Sequence, residues 1–382
     1  MTMTPKKLFR HLHLWLSVPF GLVVTVVCLT GAMLVFEDEV TRAVRPALYC
    51  VEPEGKPLDV GVLAAGVAAS LPAGTEVRGV TVYRDPSRAW RVDLSQPRRA
   101  AVMVNQYTGR VLGRAERLPA FTVAFRMHRW LMDAPADRGS MSAGKLVVGI
   151  STLAFMAALV TGVVVWWPRG RRALKAGLKI PLSRGAFALW RGTHVAGGMY
   201  ALILLLLMAA TGLTWSFGWW RTAVYAVAGV GTSPSGGQKQ PSVQSGGNAG
   251  RERDGGGSGA TAGYAVWQRA LDAVVAAVPG AQSATVGDGT VRVPCGTAGN
   301  VRAADTFAFD RVTGMLTSTE LYAGQPAQSR VRGWLYSLHT GAWGGMAGRI
   351  LSFAAALVGA SLPLTGYWIW LRRISRKKKN GV

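Results

Sequence analysis

The chain has 382 residues and a net charge of +24, from 43 Lys and Arg against 19 Asp and Glu, yet only 16% of it is charged and 49% is hydrophobic. Soluble globular proteins hold about 25% charged residues, so this composition argues against an ordinary cytosolic enzyme. Three Cys and no C-x-x-C exclude a disulfide scaffold, a zinc ribbon, thioredoxin-type chemistry and covalent c-type haem.

In chain order, residues 1–13 form a basic segment, followed by an apolar stretch at 14–36. The next stretches of that kind are 146–167, 194–215 and 350–371, none with a charged side chain. A bilayer crossing takes about 20 apolar residues, so each predicts a transmembrane helix. The first is too long for a signal-peptide core, and no small-x-small cleavage site precedes Glu37, so it is read as a retained span. Segments 1–13, 168–193 and 372–382 hold 3, 7 and 6 Lys or Arg and no acidic residue. The positive-inside rule assigns them, with both termini, to the cytoplasm. The charge is thus a topology signal rather than a nucleic-acid footprint. Regions 37–145 and 216–349 lie outside and hold all the acidic residues.

Two external α+β domains are expected from these regions. Trp90, Val92 and Leu94 alternate as in a half-buried strand, and Val80–Tyr83 is rich in strand formers. Val104–Leu112 and Phe309–Leu316 each read as strand, glycine turn, strand. Trp267, Leu271, Val274, Val275 and Val278 recur at helical spacing, and the Gly/Ser-rich stretch 231–263 reads as a linker. A Thr-Gly pair marks each span: Thr30-Gly31, Thr161-Gly162, Thr211-Gly212 and Thr365-Gly366. Small residues of this kind let helices pack closely. They also align the chain as a repeat of span, external region, span. The fold class is an α+β membrane protein with a four-helix bundle.

The five histidines carry the functional reading. His13 and His194 each stand 17 residues before the Thr of their span, at its basic end. His128 and His339 each precede an inward span, 33 and 26 residues before its Thr, a difference assigned to an insertion around Asp133–Gly139. Four histidines thus form two pairs, one per membrane face, each drawing one member from each repeat. Paired imidazoles in a bundle suit a six-coordinate haem iron. Without a covalent attachment motif, the expected cofactors are two non-covalent b-type haems. Zinc fits worse, because its ligands gather at one point. His11 lies two residues from His13, turned to another side of the helix, and has no counterpart. Arg10, Arg129, Arg191, Arg332 and Arg349 stand near the histidines, as cations for haem propionates or as interfacial snorkels. Cys28 is mid-span; Cys50 and Cys295 are external, placed either to pair or to stay thiols.

Leu12-His13-Leu14-Trp15, Asn105–Leu112, His128-Arg129-Trp130-Leu131, Val160–Pro168 and Leu338–Gly344 together resemble the bacterial PepSY-associated transmembrane helix family. Within it, the chain looks most like inner-membrane ferric-siderophore reductases of the FoxB type. It departs from the pattern at Val195-Ala196-Gly197, where the family more often has a bulkier or basic residue. The resemblance implies PepSY-like periplasmic domains and two haems held by His13, His194, His128 and His339. It also implies reduction of a ferric siderophore at the periplasmic side, with electrons from a cytoplasmic or quinol donor. Two alternatives stand beside it: a membrane-anchored PepSY binding or regulatory module without redox activity, and a transporter of siderophore or haem. Uncharged spans, with Pro19 and Pro363 near their ends, offer a transporter a poor polar pathway.

Overall fold

The computed structural model describes residues 4–97, 100–137, 140–168, 170–181, 183, 185–231 and 263–379, and of 376–379 the backbone alone. The expected linker at 231–263 falls almost wholly outside them. The helices are α1 (Pro5–Val35), α2 (Glu37–Val44), α3 (Pro46–Tyr49), α4 (Val60–Ala69), α5 (Pro119–Trp130), α6 (Ala143–Trp166) and α7 (Arg171–Gly177). They continue with α8 (Gly185–Gly192), α9 (Gly198–Ser216), α10 (Gly218–Val227), α11 (Trp267–Ala277), α12 (Ala327–Thr340) and α13 (Gly345–Lys379). The strands are β1 (Val77–Tyr83), β2 (Trp90–Leu94), β3 (Ala101–Val104), β4 (Val111–Arg114), β5 (Ser283–Gly287), β6 (Thr290–Pro294), β7 (Ala304–Phe309) and β8 (Leu316–Glu320). The chain forms two units, one of Met1–Asp38, Leu118–Val224 and Trp334–Val382, the other of Glu39–Arg117 and Tyr225–Gly333.

The first unit is helical. Pro5–Val35, Ala143–Trp166, Gly185–Ser216 and Ala342–Ser375 are each long and apolar enough to cross a membrane, which makes this a multi-pass membrane protein. The helices outrun the apolar stretches at several ends. Proline suits the start of α1 because the first turn needs no amide donor. Helices α1 and α9 each pack on both α6 and α13, so the four close a ring with α1 opposite α9. Small residues let the backbones approach. Gly21 lies against Pro363 and Tyr367, and Gly359 against Leu205 and Cys28. Thr25 Oγ1 donates to Ala360 O at 3.1 Å and Tyr367 Oη to Val18 O at 2.6 Å, which pins α1 to α13. Gly341, at φ 76°, turns α12 into the last span; its Cα closely faces Ser352 and Gly348 of α13.

The second unit is one antiparallel sheet of order β4-β3-β2-β1-β5-β6-β7-β8. Two separate external domains were expected, but the regions merge through β1 and β5, paired from Gly79↔Gly287 to Tyr83↔Ser283. The pairing covers two strand edges that separate domains would leave open. Helices α4 and α11 pack on this sheet and on each other. Val60, Leu63 and Val67 of α4 and Trp267, Leu271 and Val274 of α11 share one core with Val80, Val92, Val286 and Val291. Trp90, Val92 and Leu94 are buried as their alternation predicts. Val275 is not; it is 46% exposed, eighty degrees round the helix from the Trp267 side. Both predicted turns form around an Asx cap. Asn105 Oδ1 accepts from the Tyr107 and Thr108 amides, and Asp310 Oδ1 from those of Val312 and Thr313.

Candidate functional site: two imidazole pairs in the bundle

The four histidines singled out by spacing meet in two pairs. His13 and His194 have ring centroids 6.3 Å apart and planes at 85°; His128 and His339 are 6.0 Å apart at 54°. The first pair sits toward the N-terminal ends of α1 and α9, here the inner layer. The second sits toward their C-terminal ends, the outer layer. His13 belongs to α1, and His194 to a π-helical turn, Thr193–Gly197, between α8 and α9. Such turns add one residue to the helix and redirect a side chain. His128 lies in α5 and His339 in α12, the helices that precede the second and fourth spans.

Each imidazole is held through Nδ1. His13 Nδ1 lies 2.9 Å from Ala158 O and 3.3 Å from Thr161 Oγ1. For His194 the partners are Leu362 O at 3.1 Å and Thr365 Oγ1 at 2.9 Å. For His339 they are Met208 O at 2.9 Å and Thr211 Oγ1 at 3.2 Å, and for His128 Val27 O at 2.8 Å. In every case the carbonyl belongs to the residue three before the Thr of a Thr-Gly pair on another helix. Because a carbonyl only accepts, Nδ1 carries the proton and Nε2 the free lone pair. Burial lowers the pKa of His128 and His339, the latter to about 4, and the Arg129 charge reaches both. Both rings are therefore neutral at neutral pH, the form that binds iron. The Trp215 ring stands edge-on to His339 at 5.2 Å.

These pairs fit the haem expected from sequence. An imidazole nitrogen lies about 2.0 Å from a bound metal and about 1.1 Å from its ring centre, so two trans imidazoles put their centroids about 6.2 Å apart. Both observed separations agree. Among the described residues no three of His, Cys, Asp and Glu gather as a metal cluster, whereas a bis-imidazole haem asks only two ligands of the protein.

The arginines divide. Arg129 lies over Phe125 and Trp130, at 5.5 and 5.0 Å from their ring centres, beside the outer pair. Arg349 donates to Val35 O at the end of α1 and lies over Phe36, so it caps a helix. Arg10, Arg191 and Arg332 are exposed, Arg332 in the sheet unit rather than the bundle. His11 is exposed as well. Cys50 and Cys295 are free, exposed thiols, and Cys28 packs on Gly359 inside the bundle. What sequence reasoning missed is the part the Thr-Gly pairs play. Their recurrence once per span was the available signal.

The family model described as PepSY-associated TM region matches residues 10–373. A comparison with curated proteins returns no match.

Proposed function

The chain belongs to the PepSY-associated TM family, and from that premise we propose that it is a di-haem b-type oxidoreductase of the bacterial inner membrane. It reduces ferric iron in a siderophore on the periplasmic side, one electron per ferric ion, and so releases Fe(II) for uptake. The observation that supports this reading is the two imidazole pairs, each drawn from both repeats, with ring centroids 6.3 and 6.0 Å apart. His13 and His194 hold the inner haem, and His128 and His339 the outer one. When bound, haem supplies one-electron transfer, its potential set by axial ligands and surroundings. The protein orients the imidazoles, excludes water and keeps donor and acceptor on opposite faces. Electrons enter at the inner layer from a cytoplasmic or quinol donor. On this reading both termini are cytoplasmic and the sheet unit is periplasmic, which the basic segments without acidic residues support.

The test is an optical spectrum of the purified protein, oxidised and then dithionite-reduced, with a pyridine haemochromogen count. About two haems per chain with sharp reduced bands are expected. A colourless protein from cells supplied with haem would sink the reading and favour a binding module without redox activity.

A further inference from the structure

Each Thr-Gly pair faces a histidine of another helix, through the glycine in all four pairs and through the threonine hydroxyl as well in three. The threonine hydroxyl commits its hydrogen within its own helix. Thr30 donates to Val26 O at 2.7 Å, Thr161 to Ala157 O at 2.8 Å, Thr211 to Leu207 O at 2.7 Å and Thr365 to Ser361 O at 2.8 Å. At Thr161, Thr211 and Thr365 the hydroxyl therefore turns a lone pair toward the imidazole, beside the carbonyl acceptor. A nitrogen set between two acceptors must carry the proton. The following glycine leaves room for the ring edge. A Cβ at Gly31, Gly162, Gly212 or Gly366 would fall 2.8, 3.3, 3.0 or 3.3 Å from Cε1 of His128, His13, His339 or His194.

Resting on the di-haem reading, we propose that the Thr-Gly pairs are positioning elements for the axial histidines. Each glycine seats the ring of a neighbouring helix's histidine, and Thr161, Thr211 and Thr365, by accepting from Nδ1–H, turn its Nε2 to the iron and strengthen that ligand as an electron donor. Hydrogen bonding at the remote nitrogen raises ligand basicity, which stabilises ferric iron and lowers the midpoint potential. The effect is confined to a layer. Thr161 and Thr365 act on the inner haem, and Thr211 with Gly31 on the outer one. Each histidine is thereby clipped to a second helix, so the cofactor sites and the bundle share the same contacts.

The experiment is a spectroelectrochemical titration of the full-length protein and of Thr365→Val, Thr365→Ser and Thr211→Val, with a haem count on each. The inner midpoint is identified as the one lost in His194→Ala. Thr365→Val, close to isosteric, should keep two haems and shift the inner midpoint upward while the outer stays. Thr365→Ser should restore the wild-type value, and Thr211→Val should shift only the outer midpoint. Two haems with unmoved midpoints in both Val variants would overturn the proposal, as would both midpoints moving together in either. Loss of haem from a Val variant is settled by 15N-histidine NMR of the haem-free protein. A Nδ1–H tautomer at the four histidines supports the arrangement, and Nε2–H overturns it. A wild-type protein without haem is a different result: there the di-haem reading itself has failed.

Discussion

At the residue scale, the candidate site rests on two imidazole pairs, His13 with His194 and His128 with His339. His13 and His194 stand at equal depth before Thr30 and Thr211, and that symmetry named both as partners, as they are. Spacing along one helix does not say which helix faces which. Gly31 shares a span with His13 but packs on the ring of His128, and Thr161 on the next span lies against His13. The marks therefore read as packing glycines from sequence alone. The arginines were legible only as cations near a membrane face, and Arg349 answers instead to the end of α1. Two outcomes follow from the di-haem reading together with this geometry. His194→Ala should lose about one haem of two, while His11→Ala, at an exposed position, should keep both by haemochromogen count. Gly31→Val should lose the outer haem only, because its Cβ would fall 2.8 Å from His128 Cε1 and the branched side chain cannot retreat. Retention of both haems in Gly31→Val would show that the His128 ring has room to move.

At the element scale, strands, turns and the α11 helix were readable because each announces itself locally. Alternation gave β2, and Asx-glycine turns gave the β3–β4 and β7–β8 hairpins. The joining of both external regions into one sheet was not readable. Thr81 and Thr285, whose hydroxyls meet at 2.9 Å across β1 and β5, are 204 residues apart, and no local pattern encodes that pairing. Gly79 and Gly287 permit the junction: a Cβ at either would fall 2.8 Å from a carbonyl of the opposite strand. The helix α11 separates pattern from packing. Leu271 is 4% exposed and Val275 is 46% exposed, although both fit the apolar spacing. Leu271→Ala should cost about 2–5 kcal/mol, visible as a lower denaturant midpoint of tryptophan fluorescence. Val275→Ala should stay within about 0.5 kcal/mol of wild type. Equal losses at the two positions would mean that the Val275 face is covered in the folded protein.

At the scale of the whole molecule, the charge segregation visible in composition and the two imidazole layers lead to one argument about sidedness. If the basic segments are cytoplasmic, an impermeant maleimide should label the exposed Cys50 and Cys295 in intact spheroplasts and spare Cys28, which packs inside the bundle. Labelling only after lysis would invert the topology. On the di-haem reading, the layers give the transfer path its length. His13 and Val27, whose carbonyl holds His128, stand fourteen residues apart on α1, as do His194 and Met208 in the second repeat, about 21 Å at 1.5 Å per residue. That is most of a hydrocarbon core of about 30 Å, so neither layer alone connects the two faces. A reductant confined to the basic-segment side of sealed vesicles should therefore reduce both haems of the wild type. In His13→Ala it should leave the outer haem oxidised, while an impermeant reductant on the other side still reduces it. Equal reduction of the outer haem from either side in His13→Ala would show that electrons bypass the inner pair, and the serial order of the layers would be lost.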